Sequence, residues 1–364
     1  MTDSHGKKRI VHLLYSGIGG HGNVFSNLVN ADVQNAFEYQ ALYYGIEPLR
    51  DSYKTFCQNN KIEYKYIRKR QGVDILFFIS IFFALLKFRP ATVFLHGSYL
   101  IWPVWLYKKI YGAKVIVRET QANHLKSKVD FIMLKWAIVL SDYLVFLTKE
   151  FKDQVCQRYK LNPDKKNFII IPNGLNTSAF ASNRDYAKSP VVLSMISRLV
   201  PIKDHETLIE AMVKLKDSHG NLILKIAGAG STEQMLKEKT QQLGLSNIEF
   251  VGEIDENGIV ELLKQTDIYV HLTFGETMST SLMQAMSAGL PIFSSDVPGV
   301  NNMIQQNKTG VLIPTKNVEA IVNGISGFMN DAKLRAFCGK NAKEYAFVNY
   351  DSKKMFEKYK AIIQ

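Results

Sequence analysis

The sequence predicts an α/β protein built from two doubly wound parallel-sheet domains. Three observations carry this. Short β-branched runs alternate with amphipathic segments of helical length, the pattern of repeated βαβ units. The 364 residues give room for two domains rather than one or four. A Pro172-Asn173-Gly174 turn closes a strand near the middle, and the polar stretch 181–189 after it suits a linker.

Residues 10–15 read as a first strand, 23–29 open a helix, and 39–44 form a second strand. A helix over 75–87 leads to strand 92–96, and a helix around 102–111 leads to strand 114–118. Strands 143–147 and 168–171 follow. The second half repeats the logic with β-rich runs at 191–197, 222–227, 248–251, 268–272 and 291–294. The closing helix, 351–363, has no strand after it and must dock on something already built.

Composition narrows the classes. A 46% hydrophobic and 21% charged balance excludes a disordered chain. The three cysteines, Cys57, Cys156 and Cys338, form no C-x-x-C pair, which argues against a disulfide framework or a cysteine zinc site. A reducing, cytoplasmic compartment is expected. The polar, basic opening residues 1–9 do not resemble a secretory signal. The longest apolar run, 75–86, falls short of the ~20 residues that span a bilayer.

The net charge of +12 is unevenly distributed. Residues 1–180 hold 25 Lys and Arg against 13 Asp and Glu, and residues 181–364 hold 20 against 20. Such asymmetry points to an anionic partner for the first domain: nucleic acid, anionic lipid or a phosphorylated acceptor. A solvated basic face is the plainer reading. The cations Lys65, Arg68, Lys69 and Arg70 precede the Phe-rich run 75–86, which closes with Lys87 and Arg89. That run is either a fully buried core helix or an interfacial docking helix.

Three stretches carry chemistry. Gly17-Ile18-Gly19-Gly20-His21-Gly22 follows the first strand and opens the first helix, where glycines let a phosphate or sugar approach the backbone. Gly17, Gly19 and Gly22 also fit G-x-G-x-x-G, but the second strand lacks the terminal acid that a dinucleotide ribose requires. A structural tight turn is the alternative. Arg198 and Lys203, five residues apart in a strand-to-helix loop, can clamp one diphosphate and are expected to be exposed; two ordinary surface cations are the alternative. In the stretch 274–291, Ser279 and Thr280 can cap a helix that ends at Gly289, with Pro291 behind it. Its first amides then form an anion site with Glu276 just ahead, against the plainer reading of an exposed Glu before an ordinary helix.

Together these motifs resemble glycosyltransferase family 4, the retaining, nucleotide-sugar-dependent enzymes of the GT-B fold, in particular those of bacterial surface polysaccharides. The Arg198…Lys203 pair, Pro172-Asn173-Gly174 with Phe180, Gly228-Ala229-Gly230, Val251-Gly252-Glu253, Thr266-Asp267 and the block from Glu276 through Ala285-Met286 to Gly289 stand in the family's order. The resemblance covers nearly the whole chain. It implies two facing Rossmann-like domains, 1–177 and 178–347, with a C-terminal helix of about 348–364 returning to the first.

The resemblance also implies roles. Arg198 and Lys203 would hold the donor diphosphate, with Gly19, Gly20 and Gly228 close to the donor. Glu253 and Ile254 would flank the base, and amides of Thr277, Met278, Ser279 and Thr280 would reach phosphate and sugar. Glu276 would act at the sugar, and Gly17, His21 and His124 would lie on the acceptor side. The sequence departs from the family twice. Gln284 stands where a ribose-binding glutamate is usual, and it can still accept from one hydroxyl and donate to another. Arg118-Glu119-Thr120 occupies the place of the usual sugar-side histidine, which leaves Glu119 with His96 or His124 as candidate substitutes.

The 16 aspartates include no D-x-D, so no metal is expected, and no cofactor beyond the sugar nucleotide as substrate. The expected activity is metal-independent transfer of a hexosyl or N-acetylhexosaminyl group from a UDP-sugar to a glycan. The acceptor would be lipid-linked at the inner face of a membrane, with no nucleic-acid partner. A UDP-sugar epimerase, an NAD oxidoreductase and a non-catalytic nucleotide-sugar-binding protein remain open alternatives.

Overall fold

The computed structural model describes residues 6–364 apart from 18, 19, 73, 122, 124, 125 and 221. The chain forms two compact units, Met1–Gly174 with Ser352–Gln364, and Leu175–Asp351. Leu175 joins the second unit because its N–H donates to the Tyr350 carbonyl at 2.9 Å.

Seven strands make the first unit's sheet: β1 (Lys8–Tyr15), β2 (Phe37–Gly45), β3 (Glu63–Arg68), β4 (Thr92–His96), β5 (Lys114–Glu119), β6 (Tyr143–Phe146) and β7 (Phe168–Ile170). Their order is β3-β2-β1-β4-β5-β6-β7, and every pairing is parallel. Parallel sheets are covered on both faces, so their strands read as near-continuous apolar runs. Alternate residues feed opposite cores. Val11, Leu13, Val93, Leu95, Val115 and Val117 pack beneath α3 (Ile75–Phe88), α4 (Ile101–Tyr111), α5 (Lys128–Leu140) and α6 (Lys149–Tyr159). Ile10, Phe94, Ile116 and Val145 face the other way, toward α1 (Gly20–Ala31) and the final helix, α14 (Ser352–Ile363). Near them α2 (Asp51–Asn59) packs through Cys57 against Leu14 and Tyr43.

The returning helix is thus α14. It buries Met355, Phe356, Tyr359 and Ile362, a helical stripe, and its last carbonyls accept from Lys8 and Lys114.

In the second unit, a sheet of six parallel strands comprises β8 (Val191–Ile196), β9 (Leu222–Ala227), β10 (Ile248–Gly252), β11 (Ile268–His271), β12 (Ile292–Ser295) and β13 (Gly310–Ile313). Their order is β10-β9-β8-β11-β12-β13. Short α7 (Thr177–Phe180) precedes them, and α8 (His205–Ser218), α9 (Glu233–Gln242), α10 (Glu256–Gln265) and α11 (Thr280–Ser287) connect them. Two further helices, α12 (Val318–Asn330) and α13 (Ala332–Asn349), follow the last strand.

Two results go beyond the sequence reading. The basic stretch 65–70 begins inside β3, an edge strand paired only with β2, where charged side chains face solvent and discourage further pairing. And α3 is not fully buried: Phe77, Ile81, Ala84, Leu85 and Phe88 enter the core while Ile75, Leu76, Ile79 and Phe83 are exposed.

In each sheet the strand order reverses at one point, between β1 and β4 and between β8 and β11. The carboxyl ends of strands at such a switch point are where open α/β sheets bind ligands.

Candidate functional site

At the second switch point, β8 ends at Ile196 and its loop carries Arg198 and Lys203 into α8, while β11 ends at His271 and its loop carries Glu276 into α11. Backbone bonds lock these loops together: the Phe274 N–H donates to the Ile202 carbonyl at 2.9 Å and the Thr273 hydroxyl donates to it at 3.0 Å. The docking brings the Lys203 ammonium onto the Glu276 Oε2 as an ion pair. Lys203 is therefore not exposed as the sequence suggests; its side chain keeps 8% of its accessible surface because Glu276, at 25%, lies over it. Arg198 is exposed.

Burial would push the Glu276 carboxyl pKa up, but Lys203 and the Thr277 N–H at 3.1 Å hold it below its ordinary value. The carboxylate is ionised at neutral pH, and both oxygens are engaged. Behind it, Ser279 caps α11 by accepting the Leu282 N–H at 3.3 Å. Thr280 and Ser281 then supply first-turn amides, which have no intrahelical partner. The helix closes at Gly289, in the left-handed region at φ 78°. Gln284 is buried within α11.

Two glycines permit the close approach of these loops. Gly228, at φ 135°, follows β9, and a Cβ there would collide with the Ser197 carbonyl. Its N–H donates to Gly252 at 2.8 Å, just before exposed Glu253 and half-buried Ile254. Gly299, at φ 84°, lies against the Glu276 carbonyl, so any side chain there would displace the Glu276 loop. The sequence reading passed over Gly299.

It also passed over His271. The ring is buried, neither nitrogen has a hydrogen-bond partner, and Nε2 lies 4.0 Å from Glu276 Oε2. Burial, and then the Lys203 charge, pull its pKa to about 3, so it is a neutral neighbour of the pair. The available signal was a histidine ending an apolar strand five residues before Glu276.

The first switch point gathers a different set. His96, ending β4, has both ring nitrogens engaged. Arg118 NH1 lies 3.4 Å from its Nδ1, and its Nε2 lies 3.1 Å from His12 Nδ1. With Arg118 donating, His96 carries its proton on Nε2 and donates it to His12. Arg118 also donates to the side-chain Oδ1 of Asn173, in the Pro172-Asn173-Gly174 turn. Burial pulls the His12 pKa to about 3 and holds His96 well below its ordinary value. Glu119, ending β5, meets Lys126 at 3.4 Å and the Gln121 N–H at 3.2 Å through Oε1, while Oε2 is buried without a hydrogen bond. Burial raises the Glu119 pKa. His21 donates from Nε2 to the Tyr15 carbonyl at 2.9 Å, and Gly20 opens α1. Gly17 sits where a Cβ would strike the Glu47 carboxylate. Gly19 and His124 lie outside the described residues.

Among the described residues no group of three His, Cys, Asp or Glu is placed to hold a metal ion. A cavity of about 320 Å³ elsewhere in the second unit is walled by Lys188, His219 and Arg335, none of them expected site residues. Arg335 there is engaged by the carbonyls of Tyr186, Phe328 and Met329.

Residues 177–345, nearly the whole second unit, match the family model "Glycosyl transferases group 1". An uncharacterized glycosyltransferase of Methanocaldococcus jannaschii is 28% identical over 70% of this chain and 66% of its own length. A phosphatidyl-myo-inositol mannosyltransferase of Mycobacterium leprae is 25% identical over 50% of this chain and 49% of its own. The chain thus spans about half to two thirds of the length of these curated relatives. Among solved structures, Anabaena HepE in complex with UDP superposes with a TM-score of 0.81, covering 98% of this chain and 99% of that one at 16% identity. Residues 177–345 thus match the group 1 glycosyl transferase family, and the chain bears them on the two-sheet GT-B fold.

Proposed function

We propose that the protein transfers a sugar, with retention of configuration, from a nucleoside diphosphate sugar to a glycan hydroxyl. The observation that carries this is the convergence of Arg198, Lys203, Glu276 and the amino end of α11 at one switch point. When a glycosyl bond to a diphosphate breaks, negative charge grows on the leaving oxygens and positive charge on the ring. Arg198 meets the first with a planar fork, Lys203 with a point charge and the α11 amides with a helix terminus. Glu276 serves the second, by stabilising the ring or orienting one of its hydroxyls, and the diphosphate oxygen takes the acceptor proton. Before the donor arrives, Lys203 is neutralised by Glu276. Donor binding divides that cation between carboxylate and phosphate, and departure of the diphosphate draws it further toward phosphate.

UDP is the nucleotide we favour; Anabaena HepE, of the same fold, has been solved with UDP and with UDP-glucose. Gly19, Gly20, Gly228, Glu253, Ile254 and Gln284 complete the proposed donor set, and Gly17, His21 and His124 the acceptor side. With both nitrogens engaged, His96 fits a positioning role, and Glu119, its Oε1 held by Lys126 and the Gln121 N–H, stays with it in the proposed catalytic set. We propose a lipid-linked acceptor of a surface polysaccharide such as O-antigen or capsule, met on the cytoplasmic face of a membrane. The surplus charge of residues 1–180 supports that setting, as does the lipid named for the Mycobacterium leprae relative.

The test is to incubate the protein with radiolabelled UDP-hexoses and UDP-N-acetylhexosamines and a panel of lipid-linked glycans. Label entering the lipid phase, lost in Arg198→Ala, is the expected result. Interconversion of the sugar nucleotides with no transfer would indicate an epimerase, and binding without turnover a non-catalytic protein.

A further inference from the structure

The outside of the first unit presents a surface that the proposed transfer leaves unused. There α4 packs between α3 and α5, and the inward face of all three covers the sheet. Their outward faces are not polar. Ile79 and Phe83 on α3, Trp102 and Leu106 on α4, and Ile132 and Trp136 on α5 are exposed, each pair four residues apart and so on one stripe of its helix. Soluble monomers rarely expose a contiguous apolar patch of this extent without a partner.

The composition of the patch selects the partner. The chain has three tryptophans, and Trp102, Trp105 and Trp136 all lie here, with the Trp102 ring 4.7 Å from Trp136 and 5.8 Å from Trp105. Tryptophan combines an apolar body with an N–H and concentrates where hydrocarbon meets water. Exposed Lys87, Lys109, Lys128 and Lys135 sit on the same helices. Along those helices the single acid is Asp130, engaged in a capping box with Ser127. A second copy presenting the same face would set these lysines against one another, whereas an anionic surface answers them. No helix among the described residues is long and apolar enough to cross a membrane, so the fit is to its surface.

We propose that the outward faces of α3, α4 and α5 form a docking face that seats the first unit on an anionic lipid bilayer, with the aromatic rings at the headgroup level and the lysines against lipid phosphates. It rests on the membrane setting proposed above, and it places the contact on this three-helix face. Docking is read without sugar chemistry, so its failure and that of the transfer reading are distinguishable.

Because every tryptophan lies on the face, intrinsic fluorescence of the full-length protein reports on it directly. The protein is titrated with vesicles of phosphatidylglycerol in phosphatidylcholine and with phosphatidylcholine alone, each with and without brominated acyl chains. We expect a shift to shorter wavelength and quenching by brominated lipid with the anionic vesicles, and much less with the neutral ones. The combined Lys87→Glu, Lys109→Glu, Lys128→Glu and Lys135→Glu variant should lose more than about a hundredfold in partition, at about fivefold per cation. Phe83→Ser with Ile132→Ser, both at exposed positions and checked for fold by circular dichroism, should lose the binding that survives high salt. Unchanged emission and no quenching with anionic vesicles would overturn the proposal. So would a shift without lipid that grows with protein concentration alongside a dimer in sedimentation, since a second copy would then cover the face.

Discussion

Replacing Lys203 with methionine keeps most of the side-chain volume and removes the cation that holds Glu276 ionised. Breaking a fully buried ion pair from one side costs about 3–5 kcal/mol, because an uncompensated charge is left behind. Here Glu276 retains a quarter of its surface and the Thr277 N–H, so water and one hydrogen bond remain to it. We expect about 2 kcal/mol, roughly half the buried figure. Adding Glu276→Gln removes the stranded charge, so the double variant should recover most of that loss, with a coupling on the order of 2 kcal/mol. Urea unfolding of the four proteins at neutral pH measures it. The sign with pH is also fixed. Glu276 has a lower pKa folded than unfolded, so the pair's contribution is present above the ordinary carboxylate range and is lost as pH falls through the folded value. In Lys203→Met that acid-side loss should shrink. Additive single effects, or a Lys203→Met cost below about 0.5 kcal/mol, would refute a coupled pair at this site.

Arg198 is exposed, so Arg198→Ala should leave thermal stability unchanged while weakening UDP binding by on the order of 1.5–3 kcal/mol, the range for a charged hydrogen bond, read by calorimetry. His271 is held neutral with a pKa of about 3, below its unfolded value, so stability falls as pH drops below about 6.5, by roughly 1.4 kcal/mol per pH unit. His271→Leu should flatten the slope of urea stability against pH by about that amount between about pH 6 and about pH 4; an unchanged slope would mean that the ring finds a proton-accepting partner. EDTA should leave transfer undiminished, because the proposed anion site consists of cations and helix amides. Abolition by EDTA with rescue by magnesium would contradict that.

The legible parts of the fold were those whose physics is local. Buried parallel strands such as 92–96 and 222–227 stand out as apolar runs, and both lie at those bounds in the structure. The α11 helix announced itself by Ser279 in front and Gly289 behind. Strand β3 did not, because an edge strand carries charges where a central strand carries valines. The Phe-rich run of α3 is apolar all round, so sequence alone left its burial open; only its position over the sheet divides buried Phe77 from exposed Phe83. At the candidate site each motif could be read singly, but the Lys203–Glu276 pair could not. Its members are 73 residues apart and meet only because β8 and β11 are neighbours at the point where strand order reverses. His271 was missed for the opposite reason, since a lone histidine ending an apolar strand resembles an ordinary core residue.

We propose the Arg198, Lys203 and α11 constellation as the seat of a nucleoside diphosphate sugar. The most direct test heats the protein, Arg198→Ala and Glu276→Gln with a panel of nucleotide sugars and reads which ones delay unfolding. UDP-sugars should protect the parent, and Arg198→Ala should lose this protection. Glu276→Gln should keep or gain it, because the carboxylate that competes with phosphate for Lys203 is gone. Equal protection of parent and Arg198→Ala, or none by any member of the panel, would contradict the donor site assigned here.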